Sequence, residues 1–268
     1  MPEVCTTTSC PFPPRTTELQ FDEMWAFVGK KEARRDRADP ADDHKGDDRD
    51  HVALDPAHRL VLEVVPGART IENAEALVAG ARLRIGGRLM NLITSDAYPA
   101  HETAIRQAYG ETVMPPRTVR PGRPRAATRV VPEGLTYAVV ENTLRKGRVV
   151  DVQRRVVFGT WAAVVLALGM SGVSRAINTA FIERGNGTAR HRNSRKVRKN
   201  YRFSKDWRSH EAATFLTMYS YYFCWAVRTL SLRDERGHWH PRSPAMAAGL
   251  ADHVWSMAEW LPLPLVQR

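Results

Sequence analysis

Apolar residues fall in short extended runs through the first part of the chain and recur at helical spacing later. Thr17 to Gly29 (TELQFDEMWAFVG) carries Leu19, Phe21, Met24, Phe27 and Val28, which predicts a strand. His51 to Leu54 and Arg59 to Val65, separated by Asp55-Pro56-Ala57-His58, predict a hairpin closed by a proline turn. Thr70 is placed to cap a helix from Ile71 to about Ile85, with Glu72 in its positive first turn. Ala74, Leu77, Val78, Ala81 and Ile85 share one face of that helix, although Gly80 weakens it. Gly86-Gly87 stops it. Leu89 to Thr94 predicts a buried strand, and Pro99 to Tyr109 a second helix closing at Gly110.

Two stretches lack such a pattern. Glu32 to His51 holds eight acids and five Lys/Arg without apolar periodicity, and predicts a solvated acidic loop. Met114 to Arg129 interleaves four prolines with five arginines, as an extended basic linker would. Leu135 to Phe158 is again β-rich, and helical spacing then dominates over Thr160 to Leu168, Asn178 to Lys199 and Ser209 to Leu230. Ala245 to Leu250 predicts a short helix, and His253 to Trp260 a tryptophan-bearing turn. Val156 to Val173 is eighteen residues without a charge, long enough for a marginal membrane span or for a strand feeding a core helix. Its glycines and the lack of a second such segment favour the core helix, so no membrane partner is expected. The order of elements predicts an α/β layer with a mixed sheet. The expected division is a lead-in over 1–16, a core over 17–205 with inserts at 32–51 and 114–129, and a helical C-terminal region over 206–268.

Charge changes the picture more than composition does. The 268 residues carry 40 Lys+Arg against 29 Asp+Glu, a net charge of +11. A basic balance of this size points to a polyanionic partner, nucleic acid before an anionic membrane surface. A hydrophobic content of 43% excludes a wholly disordered chain. Cys5, Cys10 and Cys224 cannot build a disulfide framework, and Met1 to Arg15 has no apolar signal core, so a cytoplasmic, nucleoid-associated protein is expected. Cys5 and Cys10 are spaced like half of a zinc site whose other half is missing. Cys224, amid aromatic residues, is expected to be a buried hydrophobe, and His238, His240 and His253 surface or core histidines.

Two acids sit at strand positions, Asp22 in the first strand and Asp96 just after the fourth, and Glu183 sits on a predicted helix. Carboxylates that converge at a sheet edge need cations to offset their repulsion, and oxygen ligands suit Mg²⁺ or Mn²⁺. Two such ions would clamp an in-line phosphodiester displacement. Taken singly, Asp22 and Asp96 are more often strand-end caps, and Glu183 an ordinary helix-face acid. The run from Arg184 to Lys205 contains Arg184, Arg190, Arg192, Arg195, Lys196, Arg198, Lys199, Arg202 and Lys205 and no acid, interleaved with Tyr201 and Phe203. Such a run suits phosphate neutralisation. Helical spacing puts Glu183, Asn186 and Arg190 on one face, with Thr188 nearby.

At these residues a resemblance becomes specific. Phe21 to Lys31 (FDEMWAFVGKK) resembles the first-aspartate motif of the insertion-sequence-one family of DDE transposases. Ile93 to Tyr98 (ITSDAY) resembles the second-aspartate motif, and Ile177 to Arg190 the third-acid motif, ER-x-N-x-T-x-R. Arg202-Phe203-Ser204-Lys205, Pro244 to Leu250 and Asp252 to Trp255 are similar to downstream segments of the family. The resemblance implies an RNase H-like mixed sheet flanked by helices, with a basic helical C-terminal extension. It implies that Asp22, Asp96 and Glu183 hold two Mg²⁺ or Mn²⁺ ions. It also implies DNA as partner, both transposon ends and target, and at least a dimer. Strand cleavage by water and attack by the freed 3′-hydroxyl would follow, with Arg184, Asn186, Thr188, Arg190, Arg192, Arg195, Lys196, Arg198, Lys199, Arg202 and Lys205 on the DNA. The chain departs from the pattern in three ways. The residues before Leu19 leave no room for an upstream zinc-finger and helix-turn-helix region, the span from Asp96 to Glu183 is long, and Gly185 and Gly187 predict a frayed or kinked helix. A non-catalytic DNA-binding remnant and an RNase H-like nuclease are the alternatives.

Overall fold

A computed structural model describes residues 16–114, 126–197 and 201–262. In chain order the elements are β1 (Glu18–Val28), β2 (Gly46–Asp55), β3 (Leu60–Gly67), α1 (Ile71–Arg84), β4 (Leu92–Asp96), α2 (Pro99–Tyr109), β5 (Glu111–Val113) and β6 (Thr128–Val130). There follow β7 (Tyr137–Arg145), β8 (Arg148–Phe158), α3 (Trp161–Met170), α4 (Ala180–Arg192), α5 (Trp207–Cys224), β9 (Leu232–Arg233), β10 (Trp239–His240), α6 (Pro244–Ala247) and α7 (Met257–Trp260). Six strands form one mixed sheet in the order β3-β2-β1-β4-β7-β8. β1, β4 and β7 run parallel, while β2, β3 and β8 join antiparallel to their neighbours. The class is therefore α/β, with a mixed sheet flanked by helices.

β1 is central and covered on both faces, so its side chains alternate between two helical layers. Phe21 packs its ring 5.8 Å from that of His101 on α2. On the opposite face Gln20 meets the start of α4: its Nε2 donates to the Asn178 carbonyl at 2.9 Å, and its Oε1 accepts from the Ile182 N–H at 3.0 Å. α1 follows the expected pattern closely. Thr70 caps it by accepting from the Asn73 N–H at 3.3 Å, and Ala74, Leu77, Val78 and Ala81 are its buried stripe. α5 buries His210, Thr214, Met218 and Tyr222, four residues apart, and Asp206 caps it by accepting from the Ser209 N–H at 2.8 Å. The β7–β8 hairpin turns at Lys146-Gly147, both with positive φ, as a two-residue reversal requires.

Gly80 acquires a reason. A Cβ at that position would lie 2.5 Å from Glu63 Oε2 and 2.7 Å from Glu63 Cγ, so the missing methyl lets α1 close on β3. Helix propensity alone favours alanine there by about 1 kcal/mol. We expect Gly80→Ala nevertheless to lower stability by about 1–3 kcal/mol, the range for overpacking, as read from the midpoint of urea unfolding.

Three expectations need correction. The acidic segment is not a loop throughout: two short 3₁₀ turns, Glu32–Arg34 and Pro40–Asp42, lead into β2, whose Asp48 and Asp50 are buried. The Val156–Val173 run divides into the end of β8 and the ten residues of α3, and among the described residues no helix is long and apolar enough to cross a membrane. α3 is not a core helix on all sides. Val164 and Ala167 pack on Leu92, Ala138, Val140 and Ile177, whereas Trp161, Val165, Leu166 and Met170 are 57–65% exposed. A single stripe is all a helix lying on one face of a sheet can bury. α4 runs unbroken through Gly185 and Gly187, held at its start by Gln20. Cys5, Cys10 and the prolines at 115, 116, 121 and 124 lie outside the described residues; β5 and β6 pair across the latter segment.

Candidate metal centre and its basic flank

The carbonyl of Asn178 accepts from both Gln20 Nε2 and, at 3.0 Å, Thr94 Oγ1. Gln20 and Thr94 are register partners in the β1–β4 pair. These bonds tie the start of α4 to two neighbouring strands. Each of the three acids singled out in the sequence lies just beyond one tie: Asp22 two residues after Gln20, Asp96 two after Thr94, Glu183 one after Ile182. Since Phe21 pairs with Ser95, Asp22 and Asp96 follow side by side where β4 ends.

Their electrostatics differ. Burial raises the Asp22 carboxyl to about 6, and the charges of Asp96, Glu23 and Glu183 push in the same direction against a backbone hydrogen bond. Asn186 Nδ2 donates to Asp22 Oδ2 at 2.7 Å. Glu183 is exposed and its Oε1 accepts from Thr179 Oγ1 at 2.6 Å. Burial also raises Glu23, with Asp96 adding to it. Asp96 ends up lowered: burial works against it, but His101, the Tyr98 N–H and Arg69 together outweigh that. Asp22 thus feels both Asp96 and Glu183, yet the oxygens of the three do not form one close set. Asp96 instead lies with Glu23 and His101, whose donor atoms are all within 4.8 Å of one another. Sequence spacing missed Glu23 and His101. A signal for His101 was present, since it shares the buried stripe of α2 with Ala104 and Ile105 at helical spacing.

The basic run divides. Arg184, Arg202 and Lys205 are exposed, and Lys205 Nζ lies 3.1 Å from the centre of the Phe203 ring. Arg190 and Arg195 are half-buried, as is Thr188, whose hydroxyl donates back to the Arg184 carbonyl at 3.1 Å. Arg192 lies 4.2 Å over Trp225 and 5.3 Å over Tyr221. Asn186 is buried and occupied by Asp22. Lys196 is the clearest departure from expectation: it is 3% exposed, with Nζ 2.8 Å from Asp50 Oδ1 and 2.7 Å from His210 Nε2. His210 Nε2 is also 2.7 Å from Asp48 Oδ2, and its Nδ1 is 2.9 Å from Ser204 Oγ. The ammonium is enclosed by protein partners and turns no face to a phosphate. Arg198 and Lys199 lie outside the described residues.

Cys224 is partly buried, with its thiol pushed up by that burial. His238 and His240 are exposed beside Asp234, and His253 is exposed between Asp252 and Glu259. Compared with protein-family models, with curated proteins and with solved structures, the chain matches none.

Proposed function

We propose that this protein is a divalent-metal-dependent DNA phosphoryl-transfer enzyme, a DDE transposase of the insertion-sequence-one type on an RNase H-like sheet. The observation that carries the reading is the state of Asp22. A half-buried carboxyl is raised to about 6 among Asp96, Glu23 and Glu183, at the edge where β4 ends. A carboxyl pushed up among like charges fits a dication, and all-oxygen donors suit Mg²⁺ or Mn²⁺. Asp22, Asp96 and Glu183 would hold the ions, which when bound supply charge neutralisation for the attacking and leaving oxygens.

The chain's own residues do the rest. Gln20 and Thr94 fix α4 against β1 and β4, so Glu183 is held by the same ties that hold the aspartates in register. Asn186 orients the Asp22 carboxylate. Arg184, Arg202 and Lys205 offer exposed cations for the DNA backbone, and Arg190 and Arg195 are half-buried. The reaction is cleavage of one strand by water and joining of the freed 3′-hydroxyl to target DNA, with transposon ends held by at least two copies of the chain.

The test is nicking of supercoiled plasmid by the full chain with Mg²⁺ or Mn²⁺, beside Asp22→Asn and Glu183→Gln. We expect metal-dependent nicking that both substitutions abolish. Nicking that persists in either variant overturns the assignment. No nicking by the unaltered protein, with salt-sensitive DNA binding intact, favours the non-catalytic DNA-binding alternative; nicking without joining favours a nuclease.

A further inference from the structure

We propose that Glu23, Asp96 and His101 form a separate cation site on the α2 side of β1, taking a divalent transition metal such as Mn²⁺, Co²⁺ or Zn²⁺. The inference does not need the catalytic reading, with which it shares only Asp96. Glu23 follows Asp22 in β1, so its side chain leaves the strand on the opposite face. There it meets His101, in the first turn of α2, and the carboxylate of Asp96 from the end of β4. Three elements distant in sequence each contribute one donor.

What points to an ion is what these donors lack. His101 is fully buried, and neither of its ring nitrogens has a hydrogen-bond partner. Its Nε2 stops 3.6 Å from Glu23 Oε1, and its Nδ1 stops 3.6 Å from Asp96 Oδ1. Glu23 Oε1 is also buried without a hydrogen bond. Buried polar atoms are rarely left in this state. The ring cannot easily turn away: Phe21 lies 5.8 Å and Tyr98 5.3 Å from it, centre to centre. An imidazole gives one ion a single nitrogen, and one nitrogen of His101 with one oxygen each of Glu23 and Asp96 lie within 4.8 Å of one another. Donors bound to one ion at about 2.0–2.2 Å lie somewhat over 3 Å apart, so binding draws these three atoms together.

The charges agree. Arg69 Nε donates to Glu23 Oε2 at 2.9 Å, and its Nη2 lies 4.0 Å from Asp96 Oδ2. Arg69 therefore faces both carboxylates, Arg49 also acts on Glu23, and Asp22, next along the strand, adds a third acid. Arg69 leaves the inward oxygen of Glu23 free, because it takes the outward one. Asp96 Oδ1 is oriented by the Tyr98 N–H at 3.2 Å. An imidazole in the donor set selects against Mg²⁺, which prefers oxygen, and toward Mn²⁺, Co²⁺ or Zn²⁺.

Mn²⁺ binding by the full chain, followed by electron paramagnetic resonance with detection of nitrogen coupling, tests this. In an Asp22→Asn, Glu183→Gln double variant, one Mn²⁺ should remain bound with an imidazole-nitrogen signal. His101→Phe, which keeps a flat ring beside Phe21, should lose that signal. Glu23→Gln should weaken Mn²⁺ binding at least about tenfold and guards against a fold defect in the histidine variant. Failure of the double variant to hold Mn²⁺, or a nitrogen signal that survives His101→Phe, overturns the proposal and leaves His101 as a plain bridge between two carboxylates. Plasmid nicking reads the other site, so loss of one conclusion leaves the other standing.

Discussion

Asp22→Asn is expected to make the metal-free protein more stable near neutral pH while abolishing the proposed DNA cleavage. The carboxyl has its ordinary value of 3.8 in the unfolded chain and about 6 in the fold. Between those values the native state binds the proton and the unfolded state does not, so stability falls as pH rises through that window. The contribution is complete below about pH 4 and gone above about pH 6. At 1.36 kcal/mol per unit, ionising Asp22 at pH 7 costs about 2–3 kcal/mol. Asparagine is never charged and still offers an oxygen to Asn186, so the variant should recover that amount. Urea unfolding of both proteins in chelator should give equal stability near pH 3.5 and a gap of that size at pH 7. Coincident curves at both pH values would show that the carboxyl is not strained. Nicking, in contrast, should drop about a thousandfold or more, as expected when several kcal/mol of charge stabilisation is lost. A residue that weakens the fold yet serves the proposed chemistry would explain why the site holds a half-buried acid at all.

Lys196→Met should have the largest effect on folding, a loss of about 3–5 kcal/mol, the range for breaking a buried ion pair from one side. The ammonium lies 2.7 Å from Asp50 Oδ2, and both side chains are almost wholly buried. Methionine fills the same space but leaves Asp50 and Asp48 facing only His210 and Thr214. Burial already raises Asp50 against the pull of Lys196, so removing the lysine lets that rise grow, opposed only in part by His210. Stability of the variant should improve on acidification toward the range where Asp50 protonates. Pairing it with Asp50→Asn should restore part of the loss, since a neutral pair needs no counter-charge. A variant within about 0.5 kcal/mol of the unaltered protein, the scale of ordinary surface substitutions, would show that the lysine is dispensable to the fold.

Lys196 also shows where the sequence stops being legible. Periodicity and caps placed β1, β3, α1 and α2 to within a few residues, because each is decided by neighbours close in the chain, whereas β2 starts at Gly46, well before the expected His51. The acidic stretch before His51 was misjudged because charge predicts solvent only when no partner is known. The partners of Asp48 and Asp50 sit on a segment more than 140 residues away. The same blindness put Lys196 among the DNA-contacting cations. Asp22, Asp96 and Glu183 could be singled out by motif, but the Gln20 and Thr94 ties that set their spacing needed the sheet register. Glu23 was hidden by its neighbour: reading Asp22 as the functional residue assigns the next position to the other face, where His101 waits. α3 was misread for a different reason, since an apolar sequence states what a helix can bury and not how much surface the sheet presents to it.

The link from β2 to Lys196 and His210 bears on how the chain matures during synthesis. Asp50 emerges 146 residues before its lysine. At about 5–20 residues per second, β2 waits roughly 7–30 s with two carboxylates that must stay in water. The β1–β2–β3 ribbon therefore cannot be sealed as it leaves the ribosome, and chains that stop short of His210 should be held open by their own acids, exposed to proteases and unable to accumulate as folded fragments.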